Sequence, residues 1–118
     1  EFIQMIKRAL LPILFFTTSV SNASGIASTK ITSLMLDQQY PNQVFIKTSK
    51  PREAGSPDCQ NSTWSYVLRL DNEKAKTMYS MLLAAHMAGK PVSLDGTGNC
   101  TSYKSVEDLR RIELSFDK

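Results

Sequence analysis

The chain is 118 residues long, 42% apolar and 21% charged, with a formal charge of +3. That length suits one small domain. The basic excess is weak and not interleaved with aromatics, which argues against a nucleic-acid surface. Two cysteines and one histidine lack the ligand spacing of a metal site.

At the N-terminal end, Met5 reads as a natural start. Lys7 and Arg8 form a basic n-region, Ala9–Phe16 (ALLPILFF) an apolar h-region, and Ser21-Asn22-Ala23 puts small residues at −3 and −1. This is the pattern of a secretory signal peptide, and the apolar run is too short to span a bilayer as a helix. Residues 1–23 therefore read as upstream residues plus a leader, and 24–118 as the domain, secreted or periplasmic. Cleavage after Ala23 is preferred and after Ala27 is second; a retained N-terminal anchor is the alternative. Losing Lys7, Arg8 and Glu1 leaves a charge near +2.

Ile26–Leu36 (IASTKITSLML) is rich in β-branched residues and predicts a first strand. Ile31 and Leu34 fall on opposite faces of a regular strand, so a β-bulge between them is expected to turn both inward. Asp37–Asn42 is a turn. Gln43–Thr48 (QVFIKT) is a second strand, Val44 and Ile46 on one face, Phe45 and Lys47 on the other. Ser49–Ser62 is a long loop of the kind that is either functional or tied down. Lys47, Lys50 and Arg52 form a small basic patch beside Pro51 that reads as solvated, with an anionic ligand as the alternative. Thr63–Leu70 (TWSYVLRL) alternates cleanly, Trp64, Tyr66, Leu68 and Leu70 on one side, and predicts a third strand.

Asn72–Gly89 (NEKAKTMYSMLLAAHMAG) predicts a helix. Ala75, Met78, Tyr79, Leu82 and Leu83 recur at helical spacing. Asp71 or Asn72 can cap its start, Glu73 suits the first turn, and Gly89 and Pro91 stop it. The opposite face, Thr77, Ser80, Met81, Ala84 and Ala88, carries no charge, whereas a helix on a small monomer normally shows water a charged stripe. The helix is either sunk between the sheet and a loop or packed against its own copies in an oligomer. Lys90–Asp95 is a fourth strand. Asp108–Phe116 is a fifth, with Ile112, Leu114 and Phe116 as its core face and Arg111 and Glu113 outward.

The order β-β-β-α-β-β is that of the OB-fold, a mainly β (α+β) five-stranded, partly open barrel with one helix between strands 3 and 4. An α+β sandwich of the same order is the rival.

Signs of catalysis are sparse. In an oxidising compartment, one disulfide between Cys59 and Cys100 is the economical reading. It would close a loop of about forty residues, worth roughly 4 kcal/mol by the chain-entropy estimate. His86 has no assignable nucleophile and reads as a surface or interface residue. Asp95-Gly96-Thr97-Gly98 matches a string of aspartic proteases, which need two such aspartates; it reads as a turn. No cofactor motif occurs and no enzyme is expected. The short leader resembles a bacterial one, so the sequons Asn61-Ser62-Thr63 and Asn99-Cys100-Thr101 are expected to stay unmodified. Tyr40 and Tyr103, each in a loop, are candidates for stacking on sugars.

The run from Trp64 to Cys100, WSYVLRL…AKTMYSMLLAAHMAGKPVSL…GNC, resembles the B subunits of subtilase-type AB5 toxins and their small secreted relatives. Gln43–Lys47 resembles the second strand of that family, and the likeness covers most of the mature chain. It implies an OB-fold, a Cys59–Cys100 disulfide, and a homopentameric ring with the helices around a central pore. It also implies binding of cell-surface glycans and a separate toxin A subunit. Aligned on Ile31-Thr32, Ala27 takes the place of the family's sugar-binding serine, with Ser28 one residue on as the candidate hydroxyl.

Two expectations of different classes follow. One is a secreted, oligomeric, non-catalytic module that recognises glycans. The other is a periplasmic or secreted structural or inhibitor-type protein that binds another protein.

Overall fold

The computed structural model describes residues 23–53 and 55–114. Residues 1–22 of the leader expected over 1–23, and Phe116, lie outside these. The strands are β1 (Gly25–Thr29), β2 (Ile31–Leu36), β3 (Gln43–Thr48), β4 (Tyr66–Arg69), β5 (Val92–Gly96) and β6 (Leu109–Leu114), with one helix, α1 (Glu73–Ala88), between β4 and β5. They form two antiparallel sheets of three, ordered β1-β5-β6 and β2-β3-β4. Among the described residues the fold is thus mainly β with a single helix. Among the described residues, no helix is long and apolar enough to cross a membrane.

Six strands stand where five are expected because the first run divides at Lys30. Its first half pairs with β5 and its second with β3. Ser28, at φ 55°, sits at the irregularity in the first ladder. The expected bulge falls between Ile31 and Ser33, and both Ile31 and Leu34 reach the main core. The two sheets also touch at their far flank. Val67 bridges to Asp108 in parallel register and donates its N–H to the Glu107 carbonyl at 3.0 Å.

β4 is shorter than the alternation from Thr63 predicts. Side chains capture several of the backbone groups that would have extended it, although the Ser65 N–H still donates to the Ile46 carbonyl of β3 at 2.8 Å. Gln60 Nε2 donates to the Trp64 carbonyl at 3.0 Å, the Trp64 N–H donates to Ser62 Oγ at 3.1 Å, and Arg52 Nη2 donates to the Ser65 carbonyl. Such side-chain bonds to the backbone compete with a ladder.

The helix starts at Asn72, whose side chain accepts from the Ala75 N–H at 2.8 Å. It stops at Gly89, at φ 65°, in the left-handed geometry that glycine favours. Ala75, Leu82 and Ala85 are buried, with Met78 and Tyr79 packed beside them. Two side chains expected in the core are outside it: Leu83 is 41% exposed and Leu114 36%. Leu83 lies round the helix from the buried stripe, and Leu114 ends β6. His86 is half-buried rather than on the surface, and Nδ1 donates to the Ile31 carbonyl at 2.7 Å, fastening α1 to β2.

Apolar residues collect in two clusters. The main core holds Ile26, Ile31, Val44, Ile46, Tyr66, Leu68, Leu82 and Leu94 among others. A second, on the other face of β3, gathers Phe45, Val67 and Val106 with Met35, Tyr40, Trp64 and Tyr103 around them.

Candidate functional site

The second cluster brings together residues far apart in the chain. Strand alternation turns Phe45 away from Val44 and Ile46. The β2–β3 turn delivers Tyr40, shaped by Asp37, whose side chain and carbonyl accept from the Gln39 and Tyr40 N–H groups at 2.9 Å each. The β5–β6 loop delivers Tyr103. Cys59 and Cys100 are joined, which ties that loop to the residue 49–65 segment.

Tyr40 and Tyr103 meet edge to face at 5.4 Å, and each contacts Phe45, at 5.5 and 5.3 Å. Trp64 lies 5.8 Å from Phe45, and the Lys47 ammonium sits 4.6 Å over its ring. Phe45 is buried, while the tyrosines and Trp64 form a half-buried rim. The Tyr40 phenol is held above its ordinary pKa, chiefly by its hydrogen bond and charge interaction with Tyr103. Beside this rim lies a depression of about 320 Å³ lined by Leu36, Tyr40, Pro41 and Gln43. That is at the lower end of small-ligand sites. Gln43 Nε2 donates to the Ser102 carbonyl at 2.9 Å, while its buried Oε1 has no donor among the described residues.

Ser28 is not part of this surface. It lies in β1 of the other sheet, its N–H donating to Ser93 Oγ at 3.2 Å. The five helix residues Thr77, Ser80, Met81, Ala84 and Ala88 share one side of α1, all exposed except half-buried Met81. The hydroxyls of Thr77 and Ser80 donate back to the Glu73 and Lys76 carbonyls, at 3.1 and 3.2 Å. That leaves the stripe little polar demand of its own. Leu83 and Met87, the latter 79% exposed, widen it.

Sequence reasoning missed a buried polar network. The Glu107 side chain is wholly buried. Its Oε1 accepts from Ser24 Oγ at 2.6 Å and Arg52 Nε at 3.3 Å; its Oε2 accepts from the N–H groups of Ser24 at 3.2 Å and Gly98 at 2.8 Å. Ser24 Oγ also meets the Tyr66 hydroxyl at 2.9 Å and accepts from Arg52 Nε at 3.0 Å. The Arg52 guanidinium lies 4.8 Å over the Tyr66 ring. Arg52 is therefore a structural cation, not part of a solvated basic patch. Burial raises the Tyr66 pKa, against the opposing pull of the Ser24 hydrogen bond and the Arg52 charge. No local pattern marks Glu107, since a Val-Glu-Asp step in a loop reads as solvated.

Asp95 pairs with Arg111 at 3.1 Å and Arg110 at 3.7 Å. β5 runs through Gly96, one residue into the expected turn, with Gly96 paired to Leu109. Among the described residues, no group of three or more His, Cys, Asp and Glu side chains is placed to hold a metal ion. Comparison with protein-family models, curated proteins and solved structures finds no match to this chain.

Proposed function

We propose that this chain is an exported, non-catalytic binding module that associates with its own copies through α1 and presents the Tyr40–Tyr103 rim to cell-surface glycans. The observation that carries the reading is the outward stripe of α1. Past Lys76 its exposed residues are Thr77, Ser80, Leu83, Ala84, Met87 and Ala88, none of them charged. A continuous uncharged helix face with exposed Leu and Met is costly to leave wet. A second copy of the same helix suits it, because small residues at 80, 84 and 88 allow close approach.

The OB-fold reading is part of this proposal. The sheets β2-β3-β4 and β1-β5-β6 are separate, but the isolated Val67–Asp108 bridge and the chain at Lys30 connect them, which supports that reading. With the resemblance to AB5 B subunits, this favours a ring of five and a separate A subunit. The Cys59–Cys100 bridge supports an extracytoplasmic location. Two phenols and an indole in one half-buried rim, with Tyr40 also lining the shallow depression beside it, suit the C–H faces of a pyranose, and Ser28 on the other sheet is the second candidate contact.

Light scattering after size exclusion, on disulfide-intact protein at tens of micromolar, is expected to give a pentamer; a monomer refutes the ring. A glycan array with sialylated and neutral oligosaccharides tests the ligand class, and silence across it removes glycan binding. A monomer that is silent on the array and captures one protein partner would favour the inhibitor-type alternative.

A further inference from the structure

We propose that the Ala23–Ser24 peptide bond is a processing site and that Glu107 is the buried receptor for the α-ammonium group released there. This rests on the export reading above. The step is a hydrolysis by an endopeptidase of the class that removes export leaders and selects small residues at −1 and −3. The amide C–N bond breaks. Water supplies a hydroxyl to the Ala23 carbonyl carbon and a hydrogen to the Ser24 nitrogen. The proton of the new carboxylic acid then passes through solvent to the amine.

The geometry at Ser24 points to this bond. Ser24 is 3% exposed, and its carbonyl accepts from the Gly96 N–H at 2.9 Å. Its hydroxyl and its nitrogen both reach Glu107, so position 24 is held on every polar atom. The carboxylate is unevenly served. Arg52 brings a positive charge to Oε1, whereas among the described residues Oε2 receives two neutral backbone N–H groups. A buried carboxylate is costly unless charged partners surround it, and charge-assisted bonds are about twice as strong as neutral ones. Hydrolysis turns one of those neutral donors into a cation 3.2 Å from Oε2 without moving the chain.

Cleavage after Ala27, the second choice from sequence, would remove Ser24 and with it two donors to Glu107. It would also remove Ile26, a core residue that is 2% exposed. Because Ser24 is buried in the fold, hydrolysis must come first and folding second. The ion pair thus forms only in a processed chain.

The test begins with the full chain expressed behind its own leader in a bacterial host. Intact mass and N-terminal sequencing of the exported, disulfide-bonded product are expected to give Ser24 as the first residue. An exported product that starts at Ser28, or at any residue before Ser24, overturns the proposal and leaves export standing. Full-length chain confined to the cytoplasm overturns the export reading itself, and the proposal with it. On the exported product, an acylating reagent selective for α-amines at neutral pH then reads the receptor. Labelling of Ser24 is expected to be at least about tenfold slower in the folded protein than in the reduced, urea-unfolded chain. Glu107→Gln, which keeps the shape and removes the charge, is expected to restore most of the rate. Should that variant fail to fold, the unsubstituted product still decides: an α-amine that labels as fast folded as unfolded overturns the receptor role.

Discussion

Gly96 lies so close to the Glu107 carboxylate that a methyl group at position 96 would overlap both of its oxygens. The neighbour is a wholly buried, multiply bonded group with little room to give. Gly96→Ala is expected to cost about 3 kcal/mol or more, by overpacking and by displacing a buried charge from its partners. Gly89→Ala is the control. It meets open space at φ 65°, so only backbone strain is at stake, about 1 kcal/mol. Urea unfolding of the two variants should rank them in that order.

Removing the Cys59–Cys100 link by paired alanine substitution is expected to cost about 4 kcal/mol, since it frees a separation of 41 residues in the unfolded chain. The loss should also have a local signature. Tyr103 is carried by the loop that Cys100 anchors, and Trp64 shares its cluster. Trp64 emission should therefore shift to longer wavelength in the variant under conditions where the helix signal persists.

Alkaline pH should weaken the fold through Tyr66. Burial holds its folded-state pKa above the unfolded value of 10.0. The folded chain keeps the phenolic proton that the unfolded chain gives up. The stability is fully present below the unfolded pKa and falls as pH rises from there through the folded one. Tyr40 contributes with the same sign. Tyr66→Phe loses the bond to Ser24 Oγ, so it should be less stable at neutral pH yet show a flatter decline above pH ~10. Denaturant midpoints measured across that range check both effects.

Ala84→Arg tests the helix stripe. Position 84 is exposed, so the monomer is expected to fold with a change within about 0.5 kcal/mol. Placed between copies of α1, however, the new cation would be desolvated against a like charge. Light scattering should then report a smaller species with an unchanged circular dichroism spectrum.

Much of this architecture is legible from local pattern. Asn72, Gly89 and the apolar spacing between them mark α1 because capping and periodicity are short-range effects. The Ile31–Leu34 mismatch announced a bulge for the same reason. What escaped depends on contacts across the fold. The split at Lys30 arises because β3 and β5 compete for one run of chain. The truncation of β4 comes from Arg52 and Gln60 reaching in from a loop. Tyr40 and Tyr103 were each recognisable as loop aromatics, but nothing in either neighbourhood said that they touch. Leu83 misled because an apolar residue at helical spacing can serve a partner as well as a core. Glu107 and Ser24, 83 positions apart, leave no trace in any window of sequence.

β3 is the middle strand of its sheet, and its two faces are covered by different clusters, Val44 and Ile46 within the main core and Phe45 within the aromatic one. No small, local opening can bring solvent to its peptide groups. Their exchange with deuterium should wait for the whole molecule to come apart, which makes this strand an internal clock for global unfolding, against which every looser segment can be timed.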